Sequence, residues 1–266
     1  MGLITAGVDL GSTYVKAVVM KDGVRAGYGV APTGHNHDES SRKVLMEALE
    51  QAGLVIRDID HTISTGYGRR VTSLADDTIS EISANARGVQ WIGKELDVRT
   101  IIDIGGQDTK VIALDDELRM INFAMNDKCA AGTGRFLEVL ARVLDVPLSE
   151  MGELSLKSED PVDITTTCLV FAKSEVASLI FKGHSKQDII AGIHRAVARR
   201  LVAMAKKVGV NEVVFFDGGP ARNIGMVRAM EKELGIRMYV PEMPQIVTAT
   251  GAAVLAAEKL EGRSIL

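Results

Sequence analysis

One supersecondary unit occurs twice in this 266-residue chain, and the duplication restricts the possible folds more than any other feature. At the N-terminus the apolar runs GLITAGVDLG and YVKAVVMKDG each leave into a glycine turn, which predicts a two-strand hairpin; VRAGYGVAP extends it as a third strand. The run RTIIDIGGQDTKVIALDDELRMINFAMN repeats the order strand, glycine turn, strand, strand. Helical periodicity follows each copy, in RKVLMEALEQAGL after the first and in the long KQDIIAGIHRAVARRLVAMAKKVGV after the second. HTISTGYG reads as a short strand leaving into a glycine loop, EVVFFDGGP as an apolar strand ending on paired glycines, and TATGAAVLAAEKL as a closing helix. Strands alternating with helices in two repeats predict an α/β protein of two related halves. The expected boundaries are 1–98, completed by the C-terminal helix 246–262, and 99–245.

The two matching turns are VDLGST and IDIGGQDTK. Each sets an Asp, Asp9 or Asp103, at the end of an apolar strand, and then glycines, Gly11 or Gly105 and Gly106, that let the backbone bend and turn N–H groups toward an anion. An Asp so placed can hold Mg²⁺ directly or through water. Ser12, Thr13 and Lys16 in the first turn, and Gln107, Asp108 and Thr109 in the second, supply polar groups for phosphate oxygens. Asp9, Asp103 and Gln107 are the candidate catalytic residues around a terminal phosphate. A single D-x-G is also a common hairpin turn. Two of them in corresponding places of two repeats predict a cleft that grips the phosphates of ATP or ADP from both sides. In VVFFDGGPARN, Gly218 and Gly219 end a strand and leave room for a flat base, with Pro220 and Asn223 leading into a helix; a plain strand-to-helix turn would look the same. The sequence contains no G-x-x-x-x-G-K-[ST] loop, which excludes the P-loop class.

The chain has two cysteines, Cys129 in NDKCAAGTGRF and Cys168 in TTTCLVFAKSEV, both in Gly/Thr-rich turns that run into helix-like sequence. A helix N-terminus stabilises a thiolate. Two thiolates are too few for an iron–sulfur cluster, whereas two copies about a two-fold axis would supply four. The alternative is that each Cys is a small buried hydrophobe. Among the histidines, His35 and His37 in TGHNHDES have a ligand-like spacing, yet they lie in what reads as a polar loop with nothing to complete a metal site; His194 reads as a packed or surface helix residue. Trp91 and the methionines read as core or dimer contacts, and Glu81 and Glu175 as acids near the cleft or the cysteines with no assigned role as base.

A 46% hydrophobic and 25% charged composition is that of a soluble globular protein. The net charge of -4, with Lys and Arg scattered among acids, predicts no nucleic-acid partner. No apolar run approaches the length of a membrane span, and MGLITAGVDL has no basic leader, so a cytoplasmic protein without a membrane partner is expected.

The order DLGST, DIGGQDTK, DGGPARN resembles the phosphate-1, phosphate-2 and adenosine motifs of the actin, sugar-kinase and heat-shock chaperone ATPase superfamily. TGYGRR, EISANARG, NDKCAAGTGRF and TTTCLVFAKSEV make the chain similar, from Gly7 to about Leu260, to the activator ATPases of 2-hydroxyacyl-CoA dehydratases and to the related ATPase subunits of benzoyl-CoA reductase. The resemblance implies a duplicated actin-like (ribonuclease H-like) fold. It also implies a homodimer carrying one 4Fe-4S cluster on Cys129 and Cys168 of both subunits. Such proteins use ATP hydrolysis to drive one electron at a time from a ferredoxin or flavodoxin to a partner iron–sulfur dehydratase or reductase. A small-molecule kinase of the same fold would need an acid poised as base beside a sugar pocket and would have no use for the two cysteines; a filament or scaffold ATPase of the actin kind is a third reading. The chain departs from the activators at Asp217 and Pro220, where a neutral residue and Val are more usual, and at Asn85 and Lys173, where many have His and Glu; the last two are expected near the cluster.

Overall fold

The computed structural model describes residues 2–165 and 168–263. The chain divides into two compact units, Met1–Val98 with Gln245–Leu266 and Arg99–Pro244. The first contains β1 (Ile4–Leu10), β2 (Tyr14–Lys21), β3 (Val24–Pro32), α1 (His37–Ala52), β4 (His61–Thr65), β5 (Asp77–Thr78) and α2 (Glu81–Ile92). The second contains β6 (Thr100–Ile104), β7 (Thr109–Leu114), β8 (Met120–Asn126), α3 (Gly134–Val143), α4 (Met151–Ser155), α5 (Leu169–Phe181), α6 (Lys186–Val208), β9 (Val214–Gly218), α7 (Ile224–Leu234) and β10 (Met238–Tyr239). The chain then returns to the first unit as α8 (Val247–Leu260).

The two sheets have one topology. Their strand orders are β3-β2-β1-β4-β5 and β8-β7-β6-β9-β10. In each, the three-strand meander is antiparallel and the next two strands run parallel to its first. Even the register shift recurs: it falls at Val19/Met20 and at Ala113/Leu114, with Val19 and Ala113 each ten residues beyond the Asp of its repeat. The sequence duplication is thus a duplication of the fold.

Alternation along the central strands assigns their faces. Ile4, Ala6, Val8 and Leu10 of β1 pack with Val44, Leu45, Ala48 and Leu49 of α1. On the opposite face Thr5 donates to Ala253 O (2.9 Å), and Gly7 lies so close to α8 that a Cβ would come 2.1 Å from Ala249 O. Asp9 continues this second row. In the second unit Ile102 and Ile104 of β6, Val111 and Ala113 of β7 and Phe216 of β9 share the main core with Phe136, Ile193 and Met226. Asp103, Lys110 and Asp217 therefore fall on the other face.

One expected loop is helical. α1 begins at His37, not after the TGHNHDES segment, because the Asn36 side chain accepts the Glu39 N–H and Asp38 and Glu39 favour the positive end of the helix. The polar run is a helix start. Among the described residues no helix is long and apolar enough to cross a membrane.

Candidate functional site

In the first unit Asp9 lies in register between Lys16 on β2 and Thr65 on β4. Lys16 Nζ meets Asp9 Oδ2 at 2.8 Å, while Asp9 Oδ1 is buried with no hydrogen-bond partner among the described residues. A buried carboxylate oxygen left over in this way suits a cation or its bound water. Gly11 begins the turn; Ser12 is exposed and Thr13 half-buried. Thr33 pins the turn, its hydroxyl donating to Gly11 O (2.7 Å) and its N–H to Thr13 O (3.0 Å). Beside it Gly66 has φ +87°, and a Cβ there would meet Asp9 Oδ1 at 2.5 Å and Leu10 O at 2.6 Å.

The second unit repeats the arrangement with different charge. Asp103 lies between Lys110 on β7 and Asp217 on β9. Lys110 is fully buried and bonds Asp108 Oδ2 at 2.7 Å and Asp103 Oδ2 at 3.4 Å. Gly218, at φ +85°, stands where Gly66 stands in the first unit: a Cβ would meet Ile104 O at 2.2 Å and Asp103 Oδ1 at 2.7 Å. Thr65-Gly66 and Asp217-Gly218 are thus equivalent pairs. The first set holds one carboxylate and one ammonium, and the second three carboxylates and one ammonium. Thr65 and Gly66 escape the sequence pattern, because only the parallel pairing of β4 with β1 brings them beside Asp9. Gln107 is exposed at the tip of the turn, which the Gly105 N–H closes onto Asp108 O (2.9 Å).

After Gly218 the chain makes a 3₁₀ turn, Gly219–Arg222, with Pro220 buried, and enters α7. The Asn223 side chain is engaged at both ends. Its Oδ1 accepts the Met226 N–H (3.0 Å), so its amide donates to His194 Nε2 (3.2 Å). His194 is buried, and desolvation pulls it from 6.5 down to about 4, so its ring is neutral with the proton on Nδ1. Asn223 therefore shapes the loop with its side chain spent inside the fold.

Cys129 is half-buried and Cys168 exposed, and both are free thiols. Cys168 is the N-cap residue of α5, as expected, but Cys129 stands five residues ahead of the start of α3 and does not cap it. The Cys129 segment is instead tied to the second phosphate turn. Thr109 Oγ1 reaches Gly132 O (2.6 Å), and the Gly134 and Arg135 N–H groups donate to Gly105 O (2.9 Å) and Gly106 O (2.8 Å). Asn126 holds Cys129 O (2.8 Å) from the end of β8. Helices α3 and α5, which follow the two cysteines, pack together. Lys173 is exposed on α5 near Cys168. Asn85 belongs to the first unit, where it is buried and donates to Thr248 Oγ1 of α8 (3.2 Å). Among the described residues no group of three or more His, Cys, Asp or Glu is assembled to hold a metal.

Comparison with known proteins agrees with the motifs. The chain is 45% identical to the 2-hydroxyisocaproyl-CoA dehydratase activator of Clostridioides difficile over 97% of its own length and 96% of the relative's. It is 46% identical to the activator of lactoyl-CoA dehydratase from Anaerotignum propionicum, covering 96% and 98% of the two chains. The solved structure of the 2-hydroxyisocaproyl-CoA dehydratase activator from Clostridium difficile, with bound ADPNP, superposes with a TM-score of 0.93 at 44% identity, covering 98% of this chain and 96% of that one. The actin-like fold expected from the three motifs is the fold observed. Residues 6–256 match the family model, and the chain belongs to the BadF/BadG/BcrA/BcrD ATPase family.

Proposed function

We propose that this chain is an activator ATPase that uses ATP hydrolysis to drive single electrons at low potential into a partner iron–sulfur enzyme of the 2-hydroxyacyl-CoA dehydratase class. The observation that carries this reading is the direct hydrogen-bonded union of the second phosphate turn with the Cys129 segment, in a chain 45% and 46% identical to two dehydratase activators. ATP is bound through Gly11, Ser12, Thr13 and Lys16 in one unit and through Gly105, Gly106 and Asp108 in the other, the Thr109 hydroxyl fastening that turn to Gly132 O, with the adenosine end against Gly218, Gly219, Pro220 and the loop that Asn223 shapes. Asp9 and Asp103 would hold Mg²⁺ and the attacking water, which exposed Gln107 would orient; Oδ1 of Asp9, buried with no hydrogen-bond partner among the described residues, supports this assignment. Mg²⁺ neutralises phosphate charge, as in other nucleotide sites.

Cys129 and Cys168 of two subunits form the four-thiolate donor set of one 4Fe-4S cluster in a homodimer. Two free, reachable thiols per chain in the same unit suit that role. A cluster bound there supplies a one-electron carrier whose potential depends on exposure and hydrogen bonding. The electron donor is a ferredoxin or flavodoxin, and the acceptor is a dehydratase, a double-cubane cluster reductase or, in a second setting, a benzoyl-CoA reductase-type complex. The protein works in the cytoplasm under anaerobic conditions. Anaerobically purified protein is expected to be brown and to contain about four iron atoms per dimer, as four-thiolate ligation of one cluster requires. Cys129→Ser and Cys168→Ser should each lose the iron while ATP still binds. Four irons per monomer, or full iron in either variant, would overturn the shared site, and a colourless ATPase that phosphorylates a small molecule would place the chain among the kinases.

A further inference from the structure

Residues 158–165, ahead of Cys168, have no helix or strand of their own, yet they are tied down at successive points. Asp188 Oδ1 accepts from Ser158 Oγ (2.7 Å) and from the N–H groups of Glu159 (3.2 Å) and Asp160 (3.0 Å). Arg195 Nη2 donates to Pro161 O (3.2 Å) and Val162 O (3.0 Å). At Gly192 a Cβ would come 2.3 Å from Val162 O, so only glycine lets the segment lie this close to α6. Ile164 is buried beneath it. The last tie before the cysteine is of another kind. Glu175, two turns into α5, accepts both the Thr165 N–H (2.9 Å) and the Thr165 hydroxyl (2.7 Å) on Oε1. Cys168 caps the same helix, and its carbonyl takes the Ala172 N–H (2.8 Å).

We infer that Glu175 is a positioning residue for Cys168: it closes a clasp on Thr165, three residues ahead of the cysteine, and so restrains where the sulfur can lie. The inference rests on the cluster reading for what the clasp serves, although the clasp itself does not depend on it. Three Cα–Cα steps separate Thr165 from Cys168, so their Cα atoms lie within about 11 Å. Fixing Thr165 to the side of α5 therefore limits how far Cys168 can lie from that anchor, while Cys168 itself caps the helix. Two charge-assisted hydrogen bonds to one carboxylate oxygen suit such a role, since they are stronger than neutral ones. A thiolate that ligates iron through a loop gains from such support in the way other metal ligands gain from the groups that orient them. The identity of the residue is part of the argument. Asp is too short to reach Thr165 from this turn of α5, whereas Gln keeps an acceptor oxygen at the same length.

The test compares wild type with Glu175→Ala, Glu175→Gln and Thr165→Val in the full chain. In protein freed of iron, amide exchange across residues 161–168 and the rate at which Cys168 reacts with a thiol reagent should both rise in Glu175→Ala and stay near wild type in Glu175→Gln. Thr165→Val, which loses one of the two bonds, should fall between them and serves if Glu175→Ala folds poorly. In anaerobic, iron-loaded protein a chelator should strip Glu175→Ala about 10-fold or more faster than wild type, the lower end of what loss of a supporting residue costs a metal site. ATP hydrolysis without partner should be unchanged. Equal exchange and thiol reactivity in Glu175→Ala and wild type would overturn the clasp. Wild-type protein that takes up no iron would overturn the cluster reading instead, leaving the exchange result to decide the clasp alone.

Discussion

Residues that read alike in the sequence have different duties in the fold. Asn223 and His194 make the clearest case. Asn223 looks like the last member of a nucleotide motif, and His194 like an ordinary helix residue, but the two are hydrogen-bonded where Asn223 caps α7. The pair gives the fold an acid limit. Folded His194 takes a proton only near pH 4, while the unfolded chain takes one near 6.5. Between those values the unfolded state binds more protons, so the contribution is complete above pH 6.5 and is lost as pH falls toward 4, amounting to about 3 kcal/mol over that window. Urea unfolding at pH 7 and pH 5 should show wild type losing more stability on acidification than His194→Gln, which keeps an acceptor for Asn223 and has no proton to gain. An equal loss in both would show that the ring is protonated freely in the folded protein. Lys110 shows the same dependence on surroundings. It ends the IDIGGQDTK motif, and it is buried between Asp108 and Asp103, where removal would leave buried carboxylates without their cation.

Among the elements, the turn between β6 and β7 and the segment after β8 behave as one piece. The Thr109 hydroxyl, though expected to meet phosphate, is buried and directed to Gly132 O, and the first N–H groups of α3 are spent on Gly105 and Gly106. A shift of the second phosphate turn must therefore either carry the Cys129 segment with it or break these bonds. Thr109→Val keeps the shape of the residue and removes the hydroxyl, at a typical cost of about 1 kcal/mol. It should leave basal ATP hydrolysis within a few-fold of wild type but reduce the difference between ATP-analogue and ADP states in the rate at which a chelator removes iron. A variant that retains the full nucleotide difference would place the coupling elsewhere. α5 differs from the other helices of its unit. It exposes Val170, Phe171 and Phe181 while burying Ala172 and Val176, a distribution that a one-sided amphipathic reading of its sequence does not reveal.

At the scale of the molecule, the chain completes its first unit last. α8 returns after residue 244 to cover the face of β1 that carries Thr5 and Gly7, and it packs against α2 so closely that a Cβ at Gly251 would lie 1.7 Å from Ala84 O. Gly88 makes the reciprocal approach to Val247 O, at 2.1 Å. Gly251→Ala should force these helices apart and destabilise the first unit by about 1–3 kcal/mol, the usual range for overpacking. Limited proteolysis should then cut first within residues 1–98, with 99–244 still protected. Uniform cleavage of both units, or an unchanged urea midpoint, would argue that α8 is not essential to the first unit.

The sequence by itself determined the duplication, the α/β class, the two Asp-bearing turns, the paired glycines after β9 and the two cysteines. These are local signals, in which strand periodicity, glycine and a terminal acid act within a dozen residues, so they survive in the linear order. Only the tertiary structure decided that Thr65-Gly66 matches Asp217-Gly218, that Asn85 lies in the unit without cysteines, that Asn223 belongs to His194, and that the Cys129 segment hangs on Gly105 and Gly106. Each of these depends on register or packing between residues far apart in the chain, and the free energy that selects them comes from burying one side chain against another, which no local pattern records.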